Sequence, residues 1–197
     1  MDTRLLYDRA RQYHQGETTG HDFAHVARVA AHAAKILAET PQADADIVTA
    51  AALLHDVADH KLVTAEQRPG VLAAMRAWLD EAGATPAQAE KILHICANLS
   101  FSTSATNAPL PLEGLIVQDA DRLDAIGAVG IARAFAYGGA HGRPLYQKDS
   151  ADDTISHFYQ KLLLLKDRMN TPAGRRLAEQ RHRFTETFLR QFFDECK

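Results

Sequence analysis

His55 and Asp56 interrupt a run of small and aliphatic side chains, AALLHDVADH. Adjacent ionisable residues in an apolar stretch are costly to bury unless they pair or hold a ligand. A structural histidine–carboxylate pair would meet that cost, and so would part of a metal site. A second group bears on the choice. His21, His25, Arg28 and His32 recur at i, i+4, i+7 and i+11, which on a helix places them within an arc of about 60°. Val26, Ala30, Ala33 and Leu37 lie away from that stripe. Imidazole nitrogen and carboxylate oxygen together suit divalent first-row metals. A third group is VQDADRLDAIG, whose carboxylates Asp119, Asp121 and Asp124 fall within six residues. Ile116, Val117, Leu123 and Ile126 turn part of this segment toward a core.

Helices must position these residues. Alanine occurs 35 times, mostly in stretches poor in β-branched residues, so helix is favoured throughout. The patterning predicts helices over 3–14, 22–39, 44–60, 69–82, 86–99, 113–137, 152–168 and 172–193, the sixth broken near Gly127. The third is apolar enough to be buried. In the seventh, Ile155, Phe158, Tyr159, Leu162 and Leu163 share a face; in the last, Leu177, Phe184, Phe188 and Phe192 do. The segments 100–111 and 137–146 are expected as loops, the second with the glycines of a lid. No strand pattern or repeat is visible. The expectation is an all-α, single-domain protein over 1–197, with a metal-site core at about 21–125 and C-terminal helices at about 152–193.

Composition narrows the function classes. A net charge of −3 and a pI near 6.3 argue against a nucleic-acid partner. Cys96 and Cys196 alone exclude a disulfide scaffold and a cysteine-rich zinc module, and fit a reducing compartment. No signal-peptide pattern opens the chain, and no apolar run approaches the ~20 residues of a membrane span. A cytoplasmic protein without membrane association is expected.

The order His25, His55-Asp56, Asp121 resembles the H…HD…D signature of the HD-domain metal-dependent phosphohydrolases. The strings HDFAHVARV, ALLHDVADHK and DADRLDAIGAVGIARAFAYGG are similar to its YpgQ/YedJ-like bacterial subgroup. The similarity runs from about Thr3 to Lys166. It implies an HD-type helical bundle in which His25, His55, Asp56 and Asp121 bind one divalent metal. Manganese is favoured, with magnesium, cobalt, nickel, iron or zinc as alternatives. Bimetallic branches carry further histidines between the HD pair and the last aspartate; here that interval holds His60 and His94, which favours one ion. Two neutral imidazoles and two carboxylates balance one divalent cation. Such an ion acidifies water and screens phosphate charge. The lack of thiolates argues against a closed structural zinc site.

The resemblance further implies hydrolysis of a small phosphate ester or nucleotide, with nucleoside triphosphate pyrophosphohydrolysis favoured. A 5′-nucleotidase, a cyclic-nucleotide phosphodiesterase and a non-catalytic nucleotide-sensing module are the alternatives, and a homodimer is compatible with all of them. Asp59 is the candidate acid/base residue. On a continuous helix it would project about 40° from His55 and about 60° from Asp56, between two ligands. Lys61 and Arg28 are candidates for phosphate contacts, and His21 for a substrate or outer-sphere role. Arg28 could instead pair with Asp119 or Asp124, and Arg122 is open to the same two readings. His94 and Asn98 could reach a base or brace local structure. His14, His32, His157 and His182 are read as surface or satisfied core residues, and Arg175, Arg176, Arg181 and Arg183 as a solvated face.

Overall fold

Short polar residues start most of the helices. In the computed structural model, which describes residues 1–16, 22–59, 62–99 and 108–197, α1 (Thr3–Tyr13) begins at Asp2. Its carboxylate accepts the N–H groups of Arg4 and Leu5 at 3.0 and 3.1 Å. Asp22 caps α2 (Phe23–Leu37) through the His25 N–H at 2.8 Å. Asp44 caps α3 (Ala45–Leu54) through Asp46 and Ile47. Each cap satisfies donors that a helix start leaves open. Pro69 lies in the first turn of α4 (Arg68–Glu81), and α5 (Pro86–Asn98) opens on a reciprocal Thr85/Gln88 capping box. Then come α6 (Leu112–Asp124), α7 (Gly127–Ala140), α8 (Thr154–Gln160) and α9 (Pro172–Glu195). No strand occurs among the described residues, and the fold is all-α. None of the described helices is long and apolar enough to cross a membrane.

The chain forms two compact units, Met1–Ala120 and Asp121–Lys197, divided within α6. In the first, α3 packs against α1, α2 and α5. Ile47, Val48, Ala50, Ala51, Ala52, Leu53 and Leu54 of α3 are all buried, as an interior helix requires. Glu113, at the start of α6, accepts from the Asp44 N–H at 3.2 Å and pairs with Lys91 at 2.7 Å. Burial opposes ionisation of Glu113, but Lys91 and the surrounding backbone N–H groups overcome it and hold its carboxyl below the usual range.

In the second unit α7 packs on α8 and α9. Phe135, Phe158, Phe188 and Phe192 form a chain of ring contacts with centroids 5.8 to 6.1 Å apart. The break near Gly127 occurs as expected. Gly127 has φ +78°, and a Cβ there would stand 3.1 Å from the Arg181 side chain, so glycine suits both the turn and the close approach.

Five expectations need correction. The third helix ends at Leu54 rather than running to position 60. The predicted 152–168 helix gives way after Gln160 to 3₁₀ turns at Leu162–Leu164 and Lys166–Arg168. Ile155, Phe158, Leu162 and Leu165 are buried, while Tyr159 is half exposed. The last helix buries Ala173, Gly174, Ala178, His182, Thr185 and Leu189 and leaves Phe184 outside. Small residues on that face let the backbones approach. Arg181 is no solvated residue, because it is half-buried and donates to the Leu123 carbonyl. The expected loop at 137–146 begins as the last turn of α7, which runs to Ala140.

Candidate metal centre

His25 occupies the first turn of α2, where the Asp22 cap fixes its backbone, and its imidazole is buried. His55 and Asp56 follow α3 directly and are buried too. The turn they occupy accounts for its own backbone groups. The Val57 N–H bonds to the Leu54 carbonyl at 3.1 Å and the Asp59 N–H to the Asp56 carbonyl at 3.2 Å. The Ala52 carbonyl accepts from the His55 imidazole, Nδ1 to O 2.9 Å. In an uninterrupted helix that carbonyl would take the Asp56 N–H. The side chain therefore helps to end the helix. The premise that Asp59 extends α3 does not survive, and with it goes the angular argument for that residue.

A carbonyl can only accept, so His55 carries a proton on Nδ1, and whenever the ring is neutral its Nε2 is a lone-pair donor to any ion. Three donor atoms converge. His25 Nε2 lies 3.3 Å from His55 Nε2 and 3.2 Å from Asp56 Oδ2, and His55 Nε2 lies 3.4 Å from Asp56 Oδ1. Ligands at about 2.1 Å from a first-row ion stand about 3.0 Å apart at right angles and about 3.4 Å apart at tetrahedral angles. The observed spacing falls in that interval. A His25–Asp56 hydrogen bond would account for one of the contacts, yet it leaves the His55 lone pair facing the same cluster. A cation satisfies all three at once, and the cluster is able to hold a divalent metal.

The remaining predicted site residues fall in different places. Asp121 is half-buried on α6, at the start of the second unit. Asp59 is half-buried, and its carbonyl accepts from Leu62 and Val63, each at 3.0 Å. Arg28 is half-buried on α2, on the face shared by buried His25 and His32. His21, His60 and Lys61 lie outside the described residues, as does most of the 100–111 segment. His94 and Asn98 brace structure: His94 Nε2 meets the Pro109 carbonyl at 3.0 Å, and Asn98 accepts from the Ala108 N–H at 2.9 Å. Arg122 donates to the Arg168 carbonyl. His14, His32 and His182 are buried, and His157 is half-buried.

Sequence reasoning missed three neighbours of these groups. The Tyr13 hydroxyl donates to the Val57 carbonyl at 2.9 Å, and no spacing rule links a residue of α1 to that turn. Arg133 pairs with buried Asp124 across the α6–α7 break, which helical periodicity cannot see. The third is Cys96, which the sequence marks only as one of two widely spaced thiols. Burial and the Asp56 carboxylate push its thiol up to about 12, and its Sγ donates to the Ala51 carbonyl at 3.9 Å.

The HD domain family model matches residues 22–126. The protein YpgQ of Bacillus subtilis is 46% identical over 177 residues, covering 89% of this chain and 84% of its own. A crystal structure of B. subtilis YpgQ in complex with ADP superposes with a TM-score of 0.80 and 41% identity, covering 96% of this chain and 97% of that one. An HD-superfamily hydrolase from Bacillus thuringiensis gives 0.80 and 40%, over 98% and 95% of the two chains.

Proposed function

The chain belongs to the HD domain family and is a metal-dependent phosphohydrolase; we propose that its substrate is a nucleotide and that it releases pyrophosphate from a nucleoside triphosphate. The observation that carries the metal chemistry is the convergence of His25 Nε2, His55 Nε2 and the Asp56 carboxylate at 3.2 to 3.4 Å. The nucleotide is supported by the ADP complex of YpgQ. The release of pyrophosphate rests on the resemblance of the sequence strings.

In this reading His25, His55, Asp56 and Asp121 hold the ion, and manganese is the proposed metal. The chemistry supplied by a bound divalent ion is Lewis acidity toward a phosphoryl oxygen and toward water. Everything else falls to side chains of this chain. The Ala52 carbonyl keeps the His55 Nδ1 proton in place, so the ring orientation is set before metal arrives. Asp59 accepts a proton from the attacking water at its carboxylate. Arg28 and Lys61 are assigned to offset the charge of the phosphate chain, and His21 to a substrate or outer-sphere role. Burial of the ligand cluster keeps bulk water from the carboxylate and imidazoles.

Incubating the manganese-loaded protein with nucleoside mono-, di- and triphosphates, and identifying both products, tests the proposal. Pyrophosphate with a nucleoside monophosphate supports it. Orthophosphate from monophosphates would establish a nucleotidase instead. Nucleotide binding without turnover would establish a sensing module.

A further inference from the structure

The turn that carries His55 and Asp56 lies beyond the last helical bond of α3, so its backbone lacks a continuous i→i−4 ladder. Backbone carbonyls past a helix end need partners from elsewhere. Those of Leu54 and Asp56 are met within the turn, by the N–H groups of Val57 and Asp59. That of Val57 accepts from a different helix, through the Tyr13 hydroxyl at 2.9 Å. Val57 is the next residue after Asp56, so this bond fixes the Val57–Ala58 peptide, one peptide beyond a candidate ligand.

Tyr13 is well placed to act as a fixed point. It is the last residue of α1, whose Leu6 and Ala10 are fully buried, and α1 packs against α3. Its ring meets Trp78 edge-on with centroids 6.1 Å apart and His14 at 5.2 Å. The ring is partly exposed but flanked by these two side chains, and the hydroxyl is held by its bond. An aromatic side chain with two torsions spends little entropy in such a role.

We propose that Tyr13 is a positioning residue for the metal site, holding the His55–Val57 turn so that the His55 imidazole and Asp56 carboxylate stay in register with His25. This role presupposes that His25, His55 and Asp56 hold a divalent ion. Outer-sphere partners of metal ligands commonly set affinity, and Tyr13 acts one peptide away from the ligand. Losing one such hydrogen bond should weaken the ion's binding by about three- to ten-fold.

Titration of the metal-free full-length protein with Mn²⁺ by calorimetry tests this, with thermal melting of each metal-free variant alongside. Tyr13→Phe keeps the ring and removes the hydroxyl; it should bind Mn²⁺ about three- to ten-fold more weakly than the parent. Arg9→Ala loosens α1 in another way, by removing its 2.8 Å ion pair with Glu81 on α4, and should leave the Mn²⁺ affinity unchanged. Equal affinity in Tyr13→Phe and the parent overturns the role. So does an equal loss in Arg9→Ala, which would mean that any loosening of α1 suffices. A parent protein that binds no Mn²⁺ overturns the reading of the metal site itself, a result distinct from the other two.

Discussion

Arg133 brings Nη1 to within 2.6 Å of Asp124 Oδ2, and that carboxylate has no solvent exposure. The two residues stand on opposite sides of the break at Gly127, so their bond joins the end of α6 to the body of α7. Arg181 approaches the same place from α9 through the Leu123 carbonyl. Burial lowers the Arg181 pKa, and the Asp124 charge acts against that shift. One carboxylate therefore sits beside two guanidinium groups at the end of the helix that carries Asp121.

Arg133→Ala should cost stability sharply, because it removes the paired cation from a fully buried carboxylate. Breaking a buried pair from one side costs about 3–5 kcal/mol, and the partial exposure of Arg133 and the nearness of Arg181 reduce this to about 2–4 kcal/mol. Chemical denaturation with an unchanged m-value measures it. A loss below about 0.5 kcal/mol would mean that Arg181 alone neutralises Asp124.

His55→Ala and Asp56→Ala should each lose metal and turnover together. Removing one ligand takes away affinity and also the arrangement that activates water. Metal content after dialysis, measured beside nucleotide hydrolysis, checks both. Full activity in either variant at verified metal content would place the chemistry elsewhere.

Asp59→Asn separates a ligand from a base. If Asp59 handles the proton of the attacking water, the variant keeps its metal, and kcat falls by about 10²–10⁴ while KM changes little. Loss of the metal would move Asp59 into the coordination sphere. Undiminished turnover would leave water activation to the metal site alone.

Glu113→Gln should destabilise the protein at neutral pH by about 1–2 kcal/mol, since the charge-assisted bonds to Lys91 and the Asp44 N–H are weakened. The sign of its pH dependence follows from the lowered carboxyl pKa. The contribution of ionised Glu113 is present above the ordinary glutamate value of 4.5 and is lost as pH falls through the folded-state value. Melting curves of parent and variant should therefore converge on acidification. A gap that stays constant down to acid pH would show that the carboxylate charge is not what matters.

His25 and the His55-Asp56 pair were legible because ionisable residues in apolar helical runs stand out, and because Asp22 marks the start of α2. The break at Gly127 was legible as well, since glycine alone adopts φ +78° without strain. The end of α3 was not. Val57 and Ala58 are buried, at 0% and 4% exposure, so the apolar pattern runs on past Leu54 although the helix does not. Periodicity reports burial, and a buried turn looks like a buried helix. On α9 the aromatic stripe drew attention away from Gly174, Ala178 and Thr185, whose small size selects the packed face. The bond of Tyr13 joins α1 to the turn after α3, and that of Arg133 joins α7 to α6; a single sequence holds no local signature of either.

If His55 and Asp56 hold an ion, their place just after a helix rather than inside it has a kinetic consequence. Releasing His55 and Asp56 requires opening a few bonds of one turn, whereas α3 itself is locked in the interior by its neighbours. Local opening of this kind is far less costly than global unfolding. Capture of the ion by a chelator should therefore run on the timescale of loop fluctuation, while amide protons of Ala50 to Leu53 exchange only when the whole unit opens.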